Sequence, residues 1–232
     1  MGARAFSLLE LLVSITIVSV LCGVVFAVTA NARKASHRIA SISNLRNSAA
    51  ALLIMAHEEN GTLKVWKGGT SGTEGAWPAK LRLRGYVPDT RIFYASPRYR
   101  NVEYPTANWY LYTWGMYLSD ARASQSINTA PDGYQLRLVA IDNPAYTMLL
   151  GDTVSLTSLS AGHRPPRQSF RLLLKTGYDA ANGAALQTRD GRTVLMALFD
   201  GSVEEVAFPK LYAMGVRRIV DETGKVITLP AN

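Results

Sequence analysis

Residues 6–32 read FSLLELLVSITIVSVLCGVVFAVTANA, and this stretch decides the architecture of the 232-residue chain. Nineteen of its 27 residues are apolar and Glu10 is its one charged residue. As a helix it extends about 40 Å at about 1.5 Å per residue, enough to cross the ~30 Å hydrocarbon layer of a bilayer. β-Branched residues are abundant, but in lipid a backbone must satisfy its own hydrogen bonds, so a helix is the form open to a single segment. The run is also too long and too uniformly apolar for a core helix of a soluble domain. It is expected to enter a membrane.

Two kinds of membrane segment fit. A secretory signal peptide has a basic start, an apolar middle and a small-x-small cleavage site, and Arg4 and Ala30-Asn31-Ala32 supply its two ends. Against it, the run exceeds the usual ~7–15 apolar residues and carries an acid near its beginning. A charge at bilayer depth costs about 2.5–3.5 kcal/mol. Glu10 therefore either snorkels to the headgroups or has a partner.

Met1-Gly-Ala-Arg-Ala5 followed by Phe6-Ser-Leu-Leu-Glu-Leu-Leu-Val resembles the cleavage and methylation signature of type IV pilins and type II secretion pseudopilins. The resemblance implies removal of a short leader by a dedicated prepilin peptidase, with the cut between Ala5 and Phe6. It also implies N-methylation of Phe6 and pairing of Glu10 with the amine of a neighbouring subunit. Phe6 and Glu10 lie four residues apart and share one helix face, so a carboxylate can meet an amine across an axial offset. The chain departs from the family in one respect: Ala5 stands where Gly is usual.

Flanking charges give the opposite orientation from the resemblance. Arg4 precedes the span and Arg33, Lys34 and Arg38 follow it, so a positive-inside count places the C-terminal side in the cytoplasm. The family arrangement puts the leader in the cytoplasm and the body in the periplasm of a bacterial inner membrane, and that arrangement is the expectation.

No proline occurs before Pro78, so nothing forces the helix to end at the membrane surface. Ile39, Ile42, Leu45, Ala49, Leu52, Leu53 and Ala56 recur at helical spacing, and Asn60-Gly61 is a stop signal. One helix is expected from about Ser7 to about Glu59. The small residues Ser48–Ala51 permit a close approach. Beyond it, Trp77–Pro97 reads as a short element and loop with Leu81, Leu83, Tyr86 and Val87 as packing residues. Strands are expected near Asn108–Leu118, Gln135–Ile141, Tyr146–Leu150 and Phe170–Leu174. Asp200-Gly201, between VLMALF and SVEEV, predicts a two-residue type I′ hairpin, and Glu222-Thr-Gly-Lys225 predicts a weaker one.

The body also resembles prepilin-like proteins with a C-terminal His, nine intervening residues and Asp-Gly. Asp200-Gly201 fits that pattern, whereas Asp190 occupies the histidine position and the family's cysteines are missing. The resemblance implies an α+β pilin-like fold, one long N-terminal helix packed on a small antiparallel β-sheet. The expected organisation is a leader at 1–5, a transmembrane and filament-core helix at 6–32, its amphipathic continuation at 33–60 and a β-rich periplasmic domain at 61–232.

Chemistry is thinly signalled. The histidines, His37, His57 and His163, lack metal-ligand spacing. No nucleophile elbow, zinc-protease or Walker motif occurs. The glycine-rich stretch Gly68–Gly75 lacks the features of a phosphate cradle and reads as a surface loop. Asp152, Asp190 and Asp200 are weak calcium candidates, with turn and capping duties the simpler reading. Neither enzyme activity nor a cofactor is indicated. Cys22, the sole cysteine, lies in the span and excludes an intramolecular disulfide framework.

The whole chain is 48% hydrophobic, with 25 basic and 17 acidic residues. Without residues 6–32 the remainder is roughly 45% apolar, ordinary for a soluble domain. The expected partners are prepilin peptidase, other pilin-like subunits, the lipid bilayer and an inner-membrane assembly platform driven by a separate cytoplasmic ATPase. Two rival readings stay open: an exported periplasmic binding protein or enzyme behind an ordinary signal peptide, and a minor pilin that binds DNA. Residues 61–232 hold 20 basic and 14 acidic residues, a thin excess for nucleic acid.

Overall fold

The uniform apolarity fades near Ala32, but the helix does not break there. In a computed structural model, helix α1 runs without interruption over Leu8–Glu58, 51 residues. The structure describes residues 8–66, 76–94, 113–117, 134–160, 172–173, 176–180 and 183–230. Helix α1 ends where Asn60 and Gly61 both take positive φ, 54° and 73°. The Gly61 N–H then donates back to the Ala56 carbonyl at 2.8 Å, which satisfies one of the carbonyls a helix end leaves open. The predicted helix and its stop signal are both present.

The remaining elements follow in chain order. After β1 (Thr62–Trp66) come α2 (Trp77–Leu83), β2 (Gly115–Tyr117), β3 (Tyr134–Arg137), β4 (Met148–Gly151) and β5 (Thr153–Ser155). Then come α3 (Leu156–Ser160), β6 (Leu172–Leu173), β7 (Tyr178–Asp179) and β8 (Ala184–Leu186). The chain closes with β9 (Thr193–Leu198), β10 (Val203–Ala207), α4 (Phe208–Ala213), β11 (Arg218–Val220) and β12 (Val226–Thr228). The fold is α+β, as expected. Instead of one sheet, the described residues form a five-stranded sheet in the order β10-β9-β4-β2-β6 and three smaller ones: β1-β3, β5-β8-β7 and β11-β12. The pairings are antiparallel except β2 with β6, which is parallel.

The chain divides into two compact units, Met1–Ala40 and Ser41–Asn232. In the second unit, the α1 face Leu45, Ala49, Leu52 and Ala56 is buried with Leu63, Trp77, Phe93, Trp114 and Met116. Strand β9 explains why its sequence is apolar without alternation. Leu195 and Ala197 join this helix-facing cluster. Val194, Met196 and Leu198 point the other way, into a second cluster with Leu211, Met214, Val216 and Ile219 from the C-terminal segment. A strand covered on both faces reads as a continuous apolar run.

Several local expectations shift. Ile39 is 68% exposed, and the buried face of α1 begins at Ser41. Leu83 is 61% exposed because it stands two residues, about 200°, around α2 from buried Leu81. The strand read at Gln135–Ile141 ends at Arg137, since its partner β1 begins at Thr62 opposite that residue. A 3₁₀ turn, Leu138–Ala140, follows. The strand read at Tyr146–Leu150 starts at Met148, after the 3₁₀ turn Pro144–Tyr146. Residues 67–75, 95–112 and 118–133 lie outside the described residues, and with them the glycine-rich loop and most of the aromatic run.

The Asp200-Gly201 hairpin is present, with a different turn. The Gly201 N–H donates to the Leu198 carbonyl and the Leu198 N–H to the Ser202 carbonyl, so the loop has three residues. Gly201 has φ 86°, whereas Asp200 is not among the positive-φ residues. Asp200 Oδ1 instead accepts from the Ser202 N–H at 2.9 Å and the Ser202 hydroxyl at 2.7 Å. That side-chain bond stabilises the three-residue turn, in which only the glycine needs positive φ. The second hairpin, read at Glu222–Lys225, is present as β11–β12, with its turn beginning one residue earlier at Asp221.

Candidate functional site

The first unit carries the features that distinguish this chain. Within α1, Leu8, Leu9, Leu11, Leu12, Ile15, Val18, Leu21, Val25 and Val28 are all exposed. The helix contains an 18-residue window with a mean hydropathy of 2.8, none of it buried inside the protein. A helix apolar all round needs an apolar surrounding, and lipid or other such helices are the two that can supply it.

Its polar side chains are neutralised locally. The hydroxyls of Ser14, Thr16, Ser19 and Thr29 donate to the carbonyls of Glu10, Leu12, Ile15 and Val25, each four residues back, at 2.7–2.8 Å. This back-bonding removes the cost of placing four hydroxyls in hydrocarbon. Glu10 is treated differently: it lies in the first turn of α1 and is exposed. Ala5 and Phe6, the residues flanking the expected cut, lie outside the described residues.

In the second unit the three calcium candidates do separate work. Asp190 Oδ1 accepts from the Arg192 and Thr193 N–H groups at 2.9 and 2.8 Å, and from the Thr188 hydroxyl at 3.1 Å. Its Oδ2 accepts from the Thr193 hydroxyl at 3.0 Å. Partial burial works against its charge, but these donors hold the carboxyl below the usual carboxylate range. Asp200 closes the hairpin turn. Asp152 is buried and pairs with Arg189, whose Nη1 also donates to Ser41 Oγ of α1 at 2.9 Å. Burial pushes the Asp152 carboxyl upward; Arg189 opposes this, and Glu222 adds to it. No group of three or more metal-ligating side chains occurs among the described residues.

Sequence reasoning missed Arg189. It tethers Asp152, 37 residues away, and Ser41, 148 residues away, and no local pattern encodes a contact at that separation. It also missed Asn44, whose amide donates to the carbonyls of Arg91 and Tyr94 at 3.3 Å. Ser48 Oγ donates to the Ile92 carbonyl at 2.9 Å, which is the close approach its small neighbours permit.

The lowered Asp190 gives a pH prediction. A carboxyl whose folded pKa lies below its unfolded value contributes stability above about pH 4, and loses it as pH falls through the folded value. Asp190→Ala is expected to cost about 1–2 kcal/mol at neutral pH. The variant should also lose less stability than the parent between about pH 5 and pH 2. Urea titrations of the detergent-solubilised chain at a series of pH values check both. Parallel acid profiles would show that these bonds do not favour the ionised form.

Compared with known proteins, residues 1–26 match the prokaryotic N-terminal methylation motif. No curated protein and no solved structure matches the chain. The motif supports a type IV pilin-like or pseudopilin chain that is processed by prepilin peptidase, assembles with other pilin subunits and is anchored in a membrane.

Proposed function

We propose, from a prepilin-type N-terminus carried on an apolar helix, that this chain is a structural subunit of a type II secretion pseudopilus or a type IV-pilus-like filament. Residues 1–5 are a leader on the cytoplasmic side of the inner membrane, and the body lies in the periplasm. Cleavage between Ala5 and Phe6 frees the Phe6 amine for methylation. The processed helix then leaves the bilayer and enters the core of a filament. Both environments are apolar, so the exposed face of Leu8–Val28 stays buried throughout and is not transferred to water. Packing and polar pairing select the register in such a setting, and Glu10 facing the amine of a neighbouring subunit supplies the polar pair. An assembly platform and a separate ATPase provide the work. The chain itself is a structural subunit and not an enzyme.

The motif at residues 1–26 carries this reading. The N-terminal mass of the chain recovered from membranes tests it. The expected product begins with N-methylated Phe6. A product that begins at Arg33 would establish an ordinary signal peptide and an exported domain in its place.

A further inference from the structure

The end of the apolar span is as distinctive as its interior. The interval 11–57 contains Arg33, Lys34, Arg38 and Arg46 and no acidic residue, so Glu10 and Glu58 are the nearest acids in the chain on either side. Arg33, Lys34, His37 and Arg38 are all exposed on the unbroken α1. At 3.6 residues per turn they fall within an arc of about 140°, and the opposite side is left to Ala35, Ser36, Ile39 and Ala40. From Leu11 to Ala32 the helix rises about 33 Å. That matches the hydrocarbon thickness of about 30 Å, so Arg33 and Lys34 emerge at headgroup depth.

In the proposed orientation the leader, not this cluster, lies on the cytoplasmic side. The positive-inside effect, the usual reason for cations beside a span, therefore does not explain them. We propose that Arg33, Lys34, His37 and Arg38 form a one-sided collar that binds the phosphates of anionic phospholipid headgroups and fixes the depth of α1 in the bilayer. Long cationic side chains at the end of a membrane span reach the phosphate level while their methylene stems stay on the apolar side. The cationic arc faces headgroups, and the small and apolar residues opposite are left for contact with protein. The collar deepens the membrane-subunit reading and rests on it.

Full-length chain in phosphatidylcholine vesicles, with trace spin-labelled phosphatidylglycerol or spin-labelled phosphatidylcholine, provides the test. The fraction of each label immobilised by the protein gives the lipid selectivity. The wild-type chain is expected to prefer phosphatidylglycerol at least about threefold at low salt. The preference should weaken at about 0.5 M salt, where screening is strong. The Arg33→Gln/Lys34→Gln/Arg38→Gln variant is expected to approach a ratio of one. Wild-type selectivity near one overturns the proposal, and so does an inserted variant that keeps the wild-type selectivity. Alkaline extraction, scored on the same vesicles, reports insertion independently. A wild-type chain released by it loses the membrane reading as well, whereas a retained but unselective chain loses the collar alone.

Discussion

Replacing Glu10 by Ala or Lys is expected to leave α1 in the membrane and to reduce incorporation of the chain into filaments by at least about tenfold. Insertion survives either substitution because the uncharged stretch Leu11–Ala32, long enough to cross the hydrocarbon, is unchanged. Incorporation suffers because the Phe6 amine of the neighbouring subunit would enter an apolar core without its counter-charge. An uncompensated charge there costs about 2.5–3.5 kcal/mol, more than a tenfold change in an equilibrium. Lys is expected to be the more severe substitution, since it adds like-charge repulsion. Glu10→Asp should retain part of the activity, with the carboxylate one methylene short. Crosslinking in membranes and recovery of sheared filaments separate insertion from incorporation. Wild-type assembly by both Ala and Lys variants would remove Glu10 from the mechanism.

The second large effect concerns the folded body. Arg189→Met is expected to destabilise it by about 3 kcal/mol, because the buried Asp152 carboxylate loses its ion-pair partner. The figure is set at the low end for buried pairs because the Arg189 side chain remains 34% exposed. The double variant Asp152→Ala/Arg189→Met should recover more than half of that loss, as replacing both members of a buried pair commonly does. Trp77 and Trp114 are fully buried, so their fluorescence reports the transition in a denaturant titration of the solubilised chain. A single variant as stable as the parent, or a double variant worse than the single, would show that the pair is not what holds this site together. Ser41→Ala removes a hydrogen bond without stranding a charge and is expected to cost about 1 kcal/mol.

These two predictions differ in how far the sequence could reach them. Glu10 stands out because one carboxylate in nineteen apolar neighbours is conspicuous in the chain itself. Its pairing with the Phe6 amine is what the resemblance to prepilin signatures implies, and the four-residue spacing is consistent with it. Arg189 has no such contrast: it follows Gln187 and Thr188 in an unremarkable polar segment. Its partners are brought together only by the pairing of β5 with β8, which sets the Gln187 N–H on the Asp152 carbonyl, and by the packing of α1 on the core. The hairpin at Asp200 falls between these cases. Its place is legible, since an Asp-Gly pair between apolar runs marks a turn. Its type is not, because the contest between a positive φ at Asp200 and a side-chain bond to Ser202 is settled by local hydrogen bonding.

The sequence by itself determined the long helix, its uniformly apolar first half and its stop at Asn60-Gly61. Each is a periodic or compositional property that acts over a few turns, so a reading along the chain captures it. The tertiary structure decided which strands meet and that β2 and β6 run parallel. It also decided that β9 is covered on both faces and that the buried part of α1 begins at Ser41. Those outcomes depend on closing loops of tens to more than a hundred residues and on burying particular surfaces against one another. Such energies belong to pairs of distant segments, and no single stretch of sequence carries them.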